Sequence, residues 1–223
     1  MIGPWARRVL PSHFLILGGE PTLNPDLAEI VVATREMWPG DPPKLMVVTN
    51  GFFLHKHVRL ADALKSANCF LDISIHHNAP EYLAELDKAK EWANTSGLGK
   101  LLRFRPSFED WLEYYRGERE AARPFEDQNP QSSWDHCPSR WCMTIRDGKL
   151  YKCPMAAWVP MHVAKFGDGD GKWTPYLSYR PLSPDCSDDE MNEFIRRRVE
   201  SCCSMCPADP KPLLKMLPMR SKK

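Results

Sequence analysis

The sequence has almost no net charge, no long hydrophobic run and, over its first half, almost no cysteine. Its 223 residues carry 30 Lys and Arg against 29 Asp and Glu, a formal net charge of +1. So even a balance offers no broad attraction to nucleic acid or to an anionic membrane, and neither is expected as a partner. No apolar stretch is long enough to span a bilayer and no signal-peptide pattern heads the chain, so a cytoplasmic location is expected. There is no internal repeat. Residues 1–125 contain one cysteine, Cys69.

What is present is a soluble composition, 43% hydrophobic and 26% charged, in a chain long enough for one large domain or one with a small appendage. Of eight cysteines, the other seven are Cys137, Cys142, Cys153, Cys186, Cys202, Cys203 and Cys206. Without a secretory signal, such clustering points to metal or redox chemistry rather than to disulfides. It also divides the chain, at about residue 125, into residues 1–125 and a Cys-rich, loop-rich remainder, 126–223.

The first region alternates strand-like and helix-like segments. "HFLILG" (13–18) is a short apolar run ended by glycine, which predicts a buried strand. "NPDLAEIVVATREMW" (24–38) predicts a helix, with Asn24 as N-cap, Pro25 in the first position, an apolar face of Leu27, Ile30, Val31 and Met37, and a stop at Pro39-Gly40. "KLMVVTNG" (44–51) and "CFLDISIHH" (69–77) predict two more strands, and "KLLRFRP" (100–106) a fourth. "HVRLADALKSAN" (57–68), with Leu60, Ala61 and Leu64 inward, and "PEYLAELDKAKEWAN" (80–94) are the intervening helices. This spacing argues for βαβ units and a parallel sheet, and strands so continuously apolar suit a sheet covered on both faces.

In parallel α/β folds a ligand sits at the carboxyl ends of the strands. That rule selects Gly18, Gly19 and Glu20, then Thr49, Asn50 and Gly51, then Ser74 and His76, then Arg103 and Arg105. Glycines flanking Glu20 would let backbone approach a small molecule closely. A tight strand-to-helix connection explains Gly-Gly-Glu-Pro equally well, and Thr-Asn-Gly is a common turn.

In the second region "CMTIRDGKLYKCP" (142–154) predicts a hairpin around Asp147-Gly148, with Cys153 at its end. "SDDEMNEFIRRRVE" (187–200) predicts a helix with a Ser187–Glu190 capping box, leading into "CCSMCP". Residues 160–185 read as a long loop, "RFRPSFEDWLEYY" as a strand followed by a helix, and the tail "KMLPMRSKK" as frayed and solvated. Cys203 and Cys206 form C-x2-C, a spacing that puts two thiolates on one metal or cluster. Cys153 would be a third ligand and Cys137 or Cys142 a fourth. Four thiolates suit a [4Fe-4S] cluster or a four-cysteine zinc site, and spacing does not separate the two. Cys69 reads as a small core residue, Cys186 as a bystander, and Cys202 as a spare or as the ligand in place of Cys203. Trp111, Tyr114, Tyr115, Trp134 and Trp141 could line a pocket, though packing is the commoner use of such residues. His76 and His77 could shuttle protons, but neither is assigned a catalytic role.

Taken together, "LGGEP" (17–21), "VVTNG" (47–51), "LDISIH" (71–76), "DGKLYKCP" (147–154) and the closing C-x2-C resemble, in order, the radical S-adenosylmethionine (radical SAM) enzymes with a C-terminal auxiliary iron–sulfur domain of the twitch or SPASM type. The resemblance implies an α/β fold: an incomplete (β/α)6-type barrel over 1–125 lacking its first strand, then a small Cys-rich α+β auxiliary domain over 126–223. It implies that Gly18, Gly19, Glu20, Asn50 and Ser74 contact S-adenosylmethionine, with Glu20 meeting its amino group. Cys137, Cys153, Cys203 and Cys206 would hold one auxiliary [4Fe-4S] cluster, with Cys142 as the variant choice. It implies cluster-driven cleavage of the sulfonium to a radical that abstracts hydrogen from an unknown substrate, a peptide, sugar or small molecule. An electron donor such as a flavodoxin or ferredoxin would be the partner.

The family's defining C-x3-C-x2-C loop, which belongs upstream of LGGEP, is absent: 17 residues precede Gly18 and none is cysteine. The expectation is therefore a truncated sequence, inactive in S-adenosylmethionine cleavage as it stands, or a degenerate relative. A non-catalytic iron–sulfur or four-cysteine zinc module is the rival reading. A nucleic-acid-binding zinc protein is disfavoured by the neutral charge.

Overall fold

The computed structural model describes residues 2–38, 40–107 and 112–211. These fall into two compact units, Ile2–Trp111 and Leu112–Leu213. The helix expected after the fourth strand lies partly on 108–111, and the basic tail on 212–223, outside the described residues.

The first unit opens with a single helical turn, α1 (Gly3–Ala6), and is built on four parallel strands. These are β1 (His13–Ile16), β2 (Lys44–Thr49), β3 (Phe70–Ile75) and β4 (Leu102–Pro106), in the order β1-β2-β3-β4. The crossovers carry α2 (Leu27–Glu36), α3 (Leu60–Ser66) and α4 (Pro80–Thr95). The fold is thus α/β with a parallel sheet, as a strand–helix alternation requires. The four strands form an open sheet.

Strand alternation sorts the sheet into two unlike faces. Leu45, Val47, Leu71 and Ile73 pack with Leu27, Val31, Leu60, Leu64 and Leu86 from the three helices into one core, all at most 1% exposed. Cys69, just ahead of β3, is sealed in the same core, where burial pushes its thiol up to about 12. The opposite face is not a second apolar core. It carries Leu15, still 42% exposed, then Met46, Val48, Asp72, Ser74, Arg103 and Arg105. The two faces differ in character, because the apolar run of β3 includes an aspartate and a serine, Asp72 and Ser74, which lie buried with Met46 on the face opposite the helices.

Two local expectations also change. Helix α2 begins at Leu27 with Asp26 as N-cap, not at Asn24. The Asn24 side chain instead accepts from the Asp26 N–H at 3.0 Å, turning the chain before the helix starts. In α3 the buried residues are Leu60, Ala63 and Leu64, with Ala61 half-buried at the flank.

The second unit has little sheet. After α5 (Pro130–Asp135), capped by Asn129, comes the hairpin of β5 (Thr144–Arg146) and β6 (Lys149–Tyr151). Asp147 and Gly148 both have positive φ (49° and 75°), the geometry that favours Asp-Gly in a two-residue hairpin turn. Next is α6 (Pro154–Phe166), a helix where most of the sequence was expected to be loop. Pro154 suits its first turn, and Pro160 inside it is what hides the helix from a sequence reading. A short α7 (Thr174–Leu177) follows, then α8 (Asp188–Arg196) with the expected Ser187–Glu190 capping box. A 3-10 turn, Ser201–Met205, presents the last cysteines. The core here is small and mixed: Val159, Trp173, Tyr176, Tyr179, Cys202 and Met205. Residues 112–116 are not helical; Arg116 instead bridges to Arg123.

Candidate functional site

Each unit carries its own cluster of chemistry. In the first, Glu20 follows β1 and caps the 3-10 turn Pro21–Leu23. Its Oε1 accepts from the Thr22 N–H (2.9 Å) and from the hydroxyls of Thr22 and Thr49 (each 2.5 Å). Its Oε2 accepts the Asn50 N–H at 2.8 Å. The carboxylate therefore ties the ends of β1 and β2 together. Among the described residues Oε2 carries one donor, so its second lone pair can meet another.

Gly18 and Gly19 precede it, both exposed and neither at positive φ. A Cβ built on either meets nothing within 4 Å. The fold itself therefore gives no reason for glycine there. Gly51 is the contrast: its φ is +81°, and a Cβ would stand 3.0 Å from Ala89 and 3.1 Å from Ile73, so that glycine is structural. Asn50 is also engaged in structure, its Oδ1 accepting the Phe52 N–H at 3.0 Å. Ser74 is buried and its hydroxyl accepts from Arg105 Nη2 at 3.2 Å. His76 lies half-buried beside Ser107, and burial first, then the positive Arg105, lowers its pKa below 6.5. His77 Nδ1 accepts the Ala79 N–H at 2.8 Å, a turn-making role.

In the second unit four of the expected cysteines come from three separate segments to one cleft. Cys137 follows α5, Cys153 ends the hairpin, Cys203 lies on the 3-10 turn and Cys206 is the residue that ends it. The cleft encloses about 490 Å³ including its open mouth, and Tyr114, Trp134, Lys152 and Glu200 share its wall. Cys142 is exposed and does not reach it. Cys202 does not line the cleft; it is buried in the core with Tyr176 and Met205, behind Cys153 to which its thiol bonds. Of the paired alternatives, the structure brings Cys137 and Cys203 to the cleft. Tyr115 and Trp141 are exposed, at 44% and 72%, and Trp111 lies outside the described residues.

The thiols are not equivalent. Cys153 is the N-cap of α6. The thiol of Cys202 bonds to it, and that lowers its pKa most; burial opposes this, and the Ala156 and Met155 N–H groups add to it. Cys202 is correspondingly raised, first by that same bond and then by burial. The bond between them therefore favours the thiolate form at Cys153 over Cys202, in the sense a helix N-terminus also favours. Burial pushes Cys203 up to about 11 and Cys206 up to about 12, and also raises Cys137. Tyr176 Oη stands 3.1 Å from Cys206 Sγ.

Among the described residues, no three or more His, Cys, Asp or Glu side chains are gathered to hold a single metal ion. The four thiols ring the cleft instead of converging. One zinc needs its four sulfurs about 4 Å apart, whereas a four-iron cluster takes each thiolate on a different iron and so accepts a wider ring. Lys152 and Glu200 carry no sequence signal for their place beside the cysteines. Lys152 Nζ donates to the Ile195 carbonyl at 3.0 Å and Glu200 is forked by Arg197. Asp72, by contrast, does carry a signal, an acidic residue inside "FLDISI".

No protein-family model, no curated protein and no solved structure matches this chain. What the molecule can do must be read from its own side chains.

Proposed function

We propose that the second unit holds an iron–sulfur cluster of the [4Fe-4S] type on Cys137, Cys153, Cys203 and Cys206. We propose further that the first unit belongs to an S-adenosylmethionine-binding wall of the radical SAM kind, with an unknown substrate. The observation that carries this is the gathering of four cysteines, distant in sequence, around one cleft. The empty space over Gly18 and Gly19, next to a carboxylate with a lone pair to spare, supports the second half.

When bound, such a cluster supplies an electron relay or an iron site for substrate. The chain's own residues do the rest. Cys153 is the thiol of the four whose ionised form is favoured, by the Cys202 thiol and the N–H groups at the start of α6. Tyr176 stands by Cys206 as a hydrogen-bonding partner for its sulfur, the kind of contact that tunes a cluster. Glu20 places negative charge where a methionine ammonium would be recognised, and its ties to Thr22, Thr49 and Asn50 hold it still.

The test is anaerobic purification of the whole chain with iron, sulfide and zinc quantified, and electron paramagnetic resonance after reduction. About four irons and four sulfides per chain are expected. They should be lost on Cys153→Ser or Cys206→Ser and retained on Cys142→Ser. One zinc and no iron would overturn the cluster and leave a four-cysteine metal module. Calorimetry with S-adenosylmethionine tests the first unit separately; no heat of binding would remove that half of the reading.

A further inference from the structure

We propose that the Tyr114 hydroxyl is an outer hydrogen-bond donor to the sulfurs of the cysteine cleft, and so sets how readily a cluster held there is reduced. The proposal rests on the cluster reading above. Tyr114 shares the cleft wall with Cys137, Cys153, Cys203 and Cys206, all within the second unit. The residue is half-buried and its Oη is sealed from water. Among the described residues that oxygen has no hydrogen-bond partner of ordinary geometry. A buried hydroxyl in that state costs the fold something that phenylalanine would not, so packing alone gives no reason for tyrosine here.

The groups that act on it say what the donor is for. Burial first, then Cys137, hold the phenol above its ordinary pKa of 10, with Cys206 and Cys153 adding to this. The phenol therefore keeps its proton. The Ser139 hydroxyl works the other way and favours the ionised form, so it approaches as a donor and leaves the phenol's own proton unspent. The remaining neighbours are thiols, and a neutral thiol is a poor acceptor. A cysteine that ligates a metal is a thiolate, and a charged sulfur is a good one. The missing acceptor thus comes into being when the cysteines are ligated. Tyr176 shows such a contact already made, its Oη 3.1 Å from Cys206 Sγ. Tyr114 feels Cys137 most among the thiols, so the two tyrosines divide the ligands between them. Hydrogen bonds to the sulfurs of a cluster favour its reduced form, in which the sulfurs carry more negative charge.

The experiment is a redox titration of the anaerobically purified full chain, followed by the electron paramagnetic resonance of the reduced cluster. Wild type, Tyr114→Phe and Tyr115→Phe are compared. Tyr114→Phe should keep about four irons per chain. At a fixed poise its reduced-to-oxidised ratio should fall about tenfold, a shift of ~59 mV to lower potential for one electron. Tyr115 is 44% exposed and off the cleft wall, so Tyr115→Phe should leave the potential where it was. After exchange into D2O, pulsed measurements should show one deuteron coupling to the cluster fewer in Tyr114→Phe than in wild type, a signature that a packing role would not move. An unmoved potential with the irons in place overturns the proposal and leaves the cluster reading standing. Loss of iron from Tyr114→Phe alone also overturns it, since the hydroxyl would then serve assembly. A wild-type chain without iron overturns the cluster reading and the proposal together.

Discussion

The two units solve the same problem with different materials. The first buries Leu, Ile and Val between a parallel sheet and three helices, and its core needs nothing beyond the chain. The second has a two-stranded hairpin, short helices and a core in which Cys202, Tyr176 and Trp173 replace aliphatic side chains. A core so small and so rich in thiols would gain from the proposed cluster what it lacks in apolar area. The difference separates two sources of stability: transfer of hydrocarbon from water for the first unit and, on the proposed reading, ligation for the second.

The sharpest way to break that contrast is to deny the second unit its proposed cluster. Cys153→Ser or Cys206→Ser, or chelation of the wild type, should abolish iron content. The second unit should then lose most of its amide protection while the first keeps its own. Peptide-resolved hydrogen exchange reads both at once. Unchanged protection of α6 and α8 after metal loss would mean that the second unit folds on its apolar core alone, and the contrast would fail. The reverse experiment is Leu71→Ala. Leu71 is fully buried, so its truncation should cost about 2–5 kcal/mol in urea unfolding of the first unit. Iron content should not change.

A pair of glycines sharpens the contrast within the first unit. Gly51→Ala should destabilise by about 2 kcal/mol, since it combines a left-handed backbone with contact to Ala89 and Ile73. Gly19→Ala should change stability by no more than about 0.5 kcal/mol, because its Cβ meets open space. The same Gly19→Ala change should weaken S-adenosylmethionine binding in calorimetry. Equal stability costs at the two positions would show that both glycines serve the fold. Between these two in size is Ser187→Ala, which removes the capping box of α8 and should cost about 1 kcal/mol, read as a shift in the second unit's denaturant midpoint.

How much of this was legible in the sequence follows the same division. Long periodic segments made the four strands and three helices of the first unit readable, because one face of each must be apolar. Asp147-Gly148 and Ser187–Glu190 were readable because turn and cap chemistry is local. Helix α6 was not: Pro160 and the neighbouring glycines and prolines resemble a loop, and tertiary packing of Ala156 and Val159 overrides them. The role of Glu20 as a clasp between β1 and β2 was hidden as well, since its partners Thr49 and Asn50 lie some thirty residues away. Cys137 and Cys142 were inseparable by spacing; only the fold turns one toward the cleft and leaves the other in solvent.

The smallest effect comes from His76, at the first unit's rim. Its Nδ1 lies 3.0 Å from Ser107 Oγ, its backbone N–H donates to Tyr82 Oη at 2.9 Å, and the charges of Arg105 and Glu20 act on the ring. Burial is the leading cause of its lowered pKa, Arg105 the second, and Glu20 opposes both. The folded state therefore resists protonation that the unfolded chain accepts near 6.5. Above that pH the group contributes its full stability. As pH falls from 6.5 through the folded pKa, the unfolded state binds more protons and the contribution is lost. His76→Gln should therefore flatten the decline of the urea midpoint between pH 7.5 and 5.5, and Arg105→Gln should flatten it in part, by removing one of the two causes. A decline unchanged by His76→Gln would place the acid sensitivity of this rim elsewhere. The first unit, too, would then be governed by groups other than those its sheet edge presents.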